Sequence, residues 1–176
     1  MVNLTENPLV TVYITNYNYS QYLMKAIESV LAQTYDYLEL IIIDDGSDDG
    51  SRSIIEKYSP RANVYSVFQQ NKGLNASNNV AFKMARGKYI MRLDADDFLA
   101  PQAVEIMTAE LERNSECALV FPDYYLVDKE GKVMEQIIRH DFENEVSLLD
   151  QPAHGACTLI RKSVLESIGG YDQTFS

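Results

Sequence analysis

Cysteine is scarce in this chain. The two cysteines, Cys117 and Cys157, form no CxxC pair and show no cysteine–histidine spacing typical of a metal site. This pattern argues against a disulfide framework and against a zinc site. We therefore expect both side chains to be ordinary core thiols.

Positive charge is also in short supply. The chain has 15 Lys and Arg residues against 26 Asp and Glu residues, which gives a formal net charge of −11. A protein with this balance and no basic stripe would repel a phosphate backbone, so we expect no nucleic-acid partner. If the ligand carries phosphates, a metal ion or a few local donors must offset the repulsion.

Long apolar runs are missing. No run approaches the roughly 18 apolar residues that a membrane-spanning helix needs, and residues 1–8 lack the basic and apolar regions of a signal peptide. We therefore expect no membrane span in this segment. The expected location is cytoplasmic, including a peripheral place at the inner face of the cell membrane.

Strand-like and helix-like patterns alternate along the first half of the chain. Apolar, β-branched runs are followed by segments with apolar residues at helical spacing. The strand-like runs are residues 9–15, 38–43, 63–68 and 89–93, and the helical segments between them are residues 22–31, 53–58 and 75–85. Near-continuous apolar strands joined by helices predict an α/β fold with a Rossmann-like, mostly parallel sheet and helices on both faces.

The pattern becomes mixed after residue 100. Pro101 opens a helix, residues 118–121 form a predicted core strand, and residues 124–138 are typical of an antiparallel hairpin. The polar residues 139–151 predict a loop over the site. A last strand and a short helix are predicted at residues 157–160 and 163–167.

Two of the predicted strands end in clustered carboxylates. Asp44 and Asp45 close the second strand, and Asp94, Asp96 and Asp97 close the fourth. Like charges this close repel each other, so they are stable only when solvated or neutralised by a hard divalent cation. Ligands of open α/β sheets bind outside the carboxyl ends of the strands, so we expect both clusters to share one crevice.

The acidic clusters also have simpler interpretations. Asp45 and the residues after it, up to Glu56, nearly match a helix–loop–helix calcium loop, but a strand is predicted before them and Arg52 stands at a usually apolar position. The glycines and Ser47 of the same loop would build a turn that caps the next helix. The carboxylates after the fourth strand would cap the helix at Pro101.

Seven short motifs stand in a fixed order along the chain. They are Val10-Thr11-Val12-Tyr13-Ile14-Thr15-Asn16-Tyr17-Asn18, the helical run from Ile27 to Tyr35, Ile43-Asp44-Asp45-Gly46-Ser47, the segments 71–79 and 85–90, Leu93-Asp94-Ala95-Asp96-Asp97 and Ile168-Gly169-Gly170-Tyr171-Asp172. Together they resemble the family 2 glycosyltransferases over essentially the whole chain. An ordered set of this kind is far more specific than any of its members.

The resemblance implies a glycosyltransferase A fold in one domain. Residues 1–100 would be the nucleotide-sugar-binding half, and residues 101–176 the start of the acceptor-binding half. The implied reaction is metal-dependent, inverting transfer from a nucleotide-diphosphate sugar, with a UDP-sugar expected, to a saccharide or lipid-linked saccharide acceptor of polysaccharide biosynthesis. Mg²⁺ or Mn²⁺ would be the cofactor, and its charge would offset that of the departing diphosphate.

Two other functions remain open at this point. The first is a sugar-nucleotide-binding module or fragment without transferase activity. The second is a nucleotidyltransferase, which the absence of a Gly-rich, basic phosphate loop near the amino terminus disfavours.

The resemblance also implies a set of site residues. Thr15, Tyr17 and Asp44 match positions that hold the nucleoside. Asp94-Ala95-Asp96 matches the D-x-D motif, in which Asp94 would face the ribose or the metal shell and Asp96 would ligate the metal. Lys72 and Asn78 complete the expected nucleotide-sugar-binding set.

Some of these positions depart from the family pattern. Thr15 and Asn16 stand where the family usually has Pro and Thr, a change that alters turn rigidity more than chemistry. Asn78 stands where the family often has an arginine near the base or the phosphates. We expect Lys72 to compensate in part for the missing cation.

The catalytic base stays unassigned by sequence. Inverting transfer needs a general base for the acceptor hydroxyl, and in the family this is an acidic residue shortly after the turn at 169–172. No carboxylate of the chain matches that position, so we expect the base to lie beyond Ser176 of a truncated fragment. Asp172 is an alternative candidate for the base, although in the motif it is a turn residue. His154 is the acceptor-side candidate, although a lone histidine is more often structural.

Overall fold

The computed structural model describes residues 7–138 and 156–174. Strands and helices alternate as far as the fourth helix. The elements in chain order are β1 (Val10–Asn16), α1 (Ser20–Leu31), β2 (Leu38–Asp44), α2 (Ser51–Tyr58), β3 (Val64–Phe68), α3 (Leu74–Met84), β4 (Tyr89–Asp94), α4 (Ala103–Arg113), β5 (Leu119–Val120), β6 (Tyr124–Val127), β7 (Val133–Ile137), β8 (Leu159–Arg161) and α5 (Lys162–Ser167).

A six-stranded sheet in the order β3-β2-β1-β4-β8-β5 forms the centre of the fold. The strands β3, β2, β1 and β4 run parallel, whereas β8 is antiparallel to both β4 and β5. The strands β6 and β7 form a separate antiparallel hairpin. The predicted α/β fold with a mostly parallel sheet and a mixed back half is confirmed.

Helices cover both faces of the sheet. A larger core packs residues of α1, α2 and α4 against one face, with Val12, Leu40 and Met91 among the strand residues. A smaller core packs residues of α3 and α5 against the other face, where Tyr13 and Ile41 are buried. Successive strand residues alternate between the two cores, which explains the continuous apolar runs in the sequence.

Three sequence predictions need correction. The strand predicted at 118–121 contains only Leu119–Val120, and the Leu119 side chain is exposed rather than part of the core. Cys117 is also exposed, so only Cys157, which is half-buried, fits the prediction of a core thiol. Ser20 precedes the helical spacing that begins at residue 22 and is therefore predicted as a helix cap, but in the structure it is the first residue of α1, and the N-cap residue is Tyr19, which makes no side-chain cap bond.

The structure contradicts the interpretation of residues 45–56 as a calcium loop. The strand β2 precedes the acidic loop and α2 follows it, so the loop does not join two helices.

Within the described ranges, every helix is too short or too polar to traverse a lipid bilayer.

A buried carboxylate fastens the amino-terminal edge of the sheet. Glu39, in β2, accepts hydrogen bonds from the Thr11 hydroxyl at 2.6 Å and from the Arg86 backbone at 2.8 Å, and it ion-pairs with the Arg86 guanidinium at 2.6 Å. The Gly87 N–H donates to the same Thr11 hydroxyl. A Cβ at Gly87 would stand 2.6 Å from the Thr11 nitrogen, so only glycine permits this approach.

We expect Glu39→Gln to lower the free energy of unfolding by about 2 kcal/mol at neutral pH, because a charged acceptor of several hydrogen bonds becomes neutral. Burial raises the pKa of Glu39, but the bonds from Thr11 and Arg86 outweigh it and hold the pKa below its ordinary value of 4.5. The stabilisation is therefore present above pH 4.5 and is lost as the pH falls through the folded-state pKa.

Denaturant unfolding from pH 7 to pH 3 measures this effect. The difference between the wild type and the variant should narrow at the acidic end. Glu56→Gln is the matched control, since it alters an exposed pair with Arg52 and should change stability by less than about 0.5 kcal/mol. An equally small change in stability for Glu39→Gln would contradict a stabilising role for the Glu39 bonds to Thr11 and Arg86.

Candidate functional site

The carboxyl ends of three parallel strands bring the predicted site residues to one edge of the sheet. The central strand β1 pairs Asn16 with Asp44 of β2 and Thr15 with Asp94 of β4. Neighbouring strands are about 4.8 Å apart, so the backbones of Asp44 and Asp94 stand roughly 10 Å apart across β1. The two strands that end in carboxylates therefore meet at one edge of the sheet.

The two carboxylates emerge from opposite faces of the sheet. Along β2, Asp44 lies on the same face as Leu40 and Ile42, which belong to the larger core. Along β4, Asp94 lies on the same face as Ile90, which belongs to the smaller core. A ligand that contacts both side chains must lie across the sheet edge, as nucleotides do in open α/β sheets.

Asp44 is buried in a network that uses only one of its oxygens. Its Oδ1 accepts the Asn16 amide at 2.8 Å and the Ser47 hydroxyl at 2.5 Å. The Ser47 hydroxyl in turn accepts the Asn16 amide and the Asn18 backbone N–H, each at 3.0 Å. None of the described residues donates to Asp44 Oδ2, so that oxygen is available to a ligand at the edge.

The turn after β1 and the loop after β2 are fastened to each other. Asn18, whose φ is +59°, accepts the Asp48 backbone N–H at 2.9 Å. Asp49 accepts the Ser20 N–H at the start of α1 and both the N–H and the hydroxyl of Ser51 at the start of α2. Burial raises the pKa of Asp49, but these hydrogen bonds dominate and lower it to about 2.

Asp45 differs in role from its neighbour Asp44. It accepts the Gln69 amide at 2.7 Å and the backbone N–H groups of Lys72 and Gly73, both at 2.9 Å. These bonds hold the loop that leads into α3, and Gly46 permits the contact because a Cβ there would stand 2.8 Å from the Asn71 nitrogen. Asp45 is therefore a structural anchor.

The D-x-D segment presents one paired and one open carboxylate. Asp94 lies against Arg92, whose Nε is 2.8 Å from Asp94 Oδ1 and whose Nη2 donates to Oδ2 at 3.2 Å. The chain then turns, with the Asp97 N–H donating to the Asp94 carbonyl. Asp96 is exposed, Ala95 is buried beneath it, and no described cation forms an ion pair with Asp96.

The donor set suits a magnesium-like ion held jointly with a substrate. Among residues 7–138 and 156–174, no three His, Cys, Asp or Glu side chains converge on a ready-made metal cage. Mg²⁺ usually takes one or two carboxylates together with substrate phosphates and water rather than a cage of protein ligands. An exposed Asp96 just after β4 fits that mode of binding.

The other predicted residues occupy different depths of the site. Thr15 is half-buried, Tyr17 has 49% of its surface exposed, and Lys72 is exposed on the anchored loop. Asn78 is only 1% exposed, and its amide oxygen accepts the Tyr13 hydroxyl at 3.2 Å. Asn78 thus faces the buried interior, with little surface left for a ligand. His154 lies outside the described residues.

Sequence reasoning missed a buried polar cluster beneath the edge. Tyr13 contacts the Tyr171 hydroxyl at 3.3 Å, and burial, followed by the proximity of Tyr171, raises its pKa. The Asn79 side chain holds the backbone of Tyr171 through bonds of 2.7 and 2.9 Å. The motifs at 71–79 and 169–172 contain these residues, but only the fold shows that they meet. Asp172 accepts both Thr174 donors, as a turn residue does.

Solved structures with the same fold bind nucleotide sugars. The S. aureus TarS 1–349 structure in complex with UDP-GlcNAc has a TM-score of 0.74 at 21% identity, and the match covers 93% of this chain and 48% of that one. The mannosyltransferase PcManGT from Pyrobaculum calidifontis, in complex with GDP-Man and Mn²⁺, has a TM-score of 0.74 at 22% identity over 96% of this chain and 49% of that one. Likeness at this identity shows the fold alone.

Curated relatives are closer in sequence. Chondroitin synthase of Escherichia coli is 41% identical over 128 residues, which are 72% of this chain and 19% of that protein. Hyaluronan synthase of Pasteurella multocida is 35% identical over 128 residues, which are 72% of this chain and 13% of that protein. The chain thus spans less than a fifth of either relative.

The family model Glycosyl transferase family 2 matches residues 11–169, and this chain therefore belongs to that family.

Proposed function

We propose that this domain binds a nucleotide-diphosphate sugar across the carboxyl edge of β1, β2 and β4 and transfers the sugar to an acceptor hydroxyl with inversion. The donor is a UDP-sugar, and the acceptor is a saccharide or a lipid-linked saccharide. Thr15, Tyr17 and Asp44 hold the nucleoside, Asp94 faces the ribose, and Asp96 holds Mg²⁺ or Mn²⁺. Lys72 lies on the loop beside the diphosphate.

The observation that carries the proposal is that Asp44 and Asp96, at one edge of the sheet, both have carboxylate oxygens without a partner among the described residues. Asp44 keeps one carboxylate oxygen free in a buried network, which suits an N–H group on the edge of a base. Uracil presents such an N–H. Asp96 is exposed and unpaired by any described cation, which suits a hard metal ion. The roughly 10 Å between the strand ends leaves room for a nucleoside.

A divalent ion solves the charge problem of this protein. The chain carries a net charge of −11, and a nucleoside diphosphate adds further negative charge. When bound, the ion neutralises charge that develops on the departing diphosphate. The protein's own part is to orient the nucleoside, to present Asp96 and to keep neighbouring carboxylates paired.

The comparisons support the same donor class. The similarity to a chondroitin synthase and a hyaluronan synthase favours a saccharide-building reaction. UDP-GlcNAc in S. aureus TarS, and GDP-Man with Mn²⁺ in PcManGT, favour a nucleotide-sugar donor and a divalent cation. The bases of these two donors differ, so GDP is tested beside UDP at Asp44.

We expect Asp96→Ala to abolish metal-dependent binding of UDP, because the substitution removes the open carboxylate from the metal. Calorimetric titration of UDP with Mn²⁺ and with EDTA measures this directly. The wild type should bind UDP with Mn²⁺ and lose most of that affinity in EDTA. The control Asp36→Ala removes an exposed aspartate before β2, at the opposite edge, and should bind as the wild type does. Equal wild-type affinities in EDTA and in Mn²⁺ would contradict the assignment.

We expect Asp44→Asn to weaken UDP binding at least about tenfold, because a charge-assisted hydrogen bond becomes a neutral one. Affinity for GDP should fall as well if guanine offers its N–H groups to the same oxygen. Asp48→Asn is the matched control in the same loop, since its carboxylate accepts no bond from the described residues. Unchanged UDP affinity in Asp44→Asn would place the base elsewhere.

We expect UDP to be released when the chain is mixed with UDP-sugars and Mn²⁺, because the proposed function is transfer and not binding alone. A coupled UDP assay over UDP-GlcNAc, UDP-glucose and UDP-glucuronate, with short saccharides as acceptors, measures the release. Asp96→Ala gives the background rate. Donor binding without release above that background would instead favour a sugar-nucleotide-binding module or a fragment without transferase activity.

A further inference from the structure

We propose that Arg92 is a positioning residue for the donor site: it holds the Asp94 carboxylate in one orientation and keeps it out of the metal's coordination shell. The inference rests on the proposed function and assigns a role to a residue outside the motifs that suggested it. If Arg92 holds Asp94 in this way, Asp96 is the one acid of the D-x-D segment that faces the metal.

The contact between Arg92 and Asp94 engages both carboxylate oxygens. Nε is 2.8 Å from Oδ1, and Nη2 donates to Oδ2 at 3.2 Å. The close charge contact at one oxygen and the hydrogen bond at the other together restrain the orientation of the carboxylate, which one point charge cannot do. The two residues are separated by one position on β4, so the alternation of the strand places them on the same face.

Arg92 itself has little freedom to move. Its backbone lies between β1, where it pairs with Tyr13, and residues 156–157, where the Cys157 N–H donates to the Arg92 carbonyl at 2.7 Å. Its side chain is only 14% exposed. A guanidinium held this way is a rigid support, and the neighbouring Tyr13 is fixed in turn by Asn78 and Tyr171.

The ion pair also leaves one donor in poor alignment. Although Arg92 Nε is close to Asp94 Oδ1, its N–H is not directed along a hydrogen bond and is buried without another acceptor. A buried, unsatisfied donor is costly and is uncommon in structural ion pairs. The better-aligned pair of Arg86 and Glu39 at the opposite edge shows what a purely structural contact looks like in this sheet.

A double-mutant cycle on UDP binding with Mn²⁺ tests the inference. We expect Arg92→Met to weaken binding about tenfold to a hundredfold, the usual effect of losing a group that orients a ligand-binding side chain. In an Asp94→Asn background, the same substitution should cost less than about threefold, because Arg92 acts through Asp94. Arg92→Lys should not restore full affinity, since lysine lacks the two-point contact. Arg86→Met, the matched control, should leave UDP affinity unchanged.

The outcomes separate this inference from the proposed function. If the wild type binds no UDP with Mn²⁺, the proposed function fails and the inference fails with it. If the wild type binds UDP with Mn²⁺ and Asp96→Ala does not, the donor-binding part of the proposed function holds. In that case, unchanged affinity in Arg92→Met, or an equal loss in both backgrounds, overturns the role of Arg92. Circular dichroism checks the folding of each variant, and Arg92→Lys carries the same cycle if Arg92→Met does not fold.

Discussion

The parallel pairing of β1 with both β2 and β4 is the constraint on which the candidate site depends. Because β1 is central, its last two residues stand between Asp44 on one side and Asp94 on the other. A one-residue slip in either pairing would send every side chain of the slipped strand to the opposite face and separate the two acids. The buried apolar residues on both faces oppose such a slip, so the cores of the fold also set the geometry of the site.

The carboxylates around the sheet fall into two groups: some accept several hydrogen bonds, and others have oxygens without a described donor. Glu39, Asp45 and Asp49 accept several donors each, and they fasten the sheet edge, the loop before α3 and the starts of two helices. Asp44 is half satisfied and Asp96 is open. Buried charges persist where they are paired or hydrogen-bonded, so the incompletely paired acids are the ones left for a ligand.

Periodicity in the sequence was sufficient to predict the strands and helices of the front half, because each apolar run has one dominant period. The roles of adjacent acids were not predictable in this way. Asp44 and Asp45 are the same residue type in one motif, and only contacts from Gln69 and the loop after β3 make Asp45 structural. The capping of α1 by Asp49 is likewise a contact over 29 positions, which no local pattern reveals. Arg92 looked like an ordinary strand residue for the same reason.

A crystal structure of the chain with UDP and Mn²⁺ would test the central claim most directly. The account predicts that the uracil lies against Asp44, that Mn²⁺ joins Asp96 to the diphosphate, and that Asp94 still contacts Arg92. A nucleotide bound away from the carboxyl edge of β1, or Mn²⁺ held by Asp44 and Asp45 instead of Asp96, would contradict it.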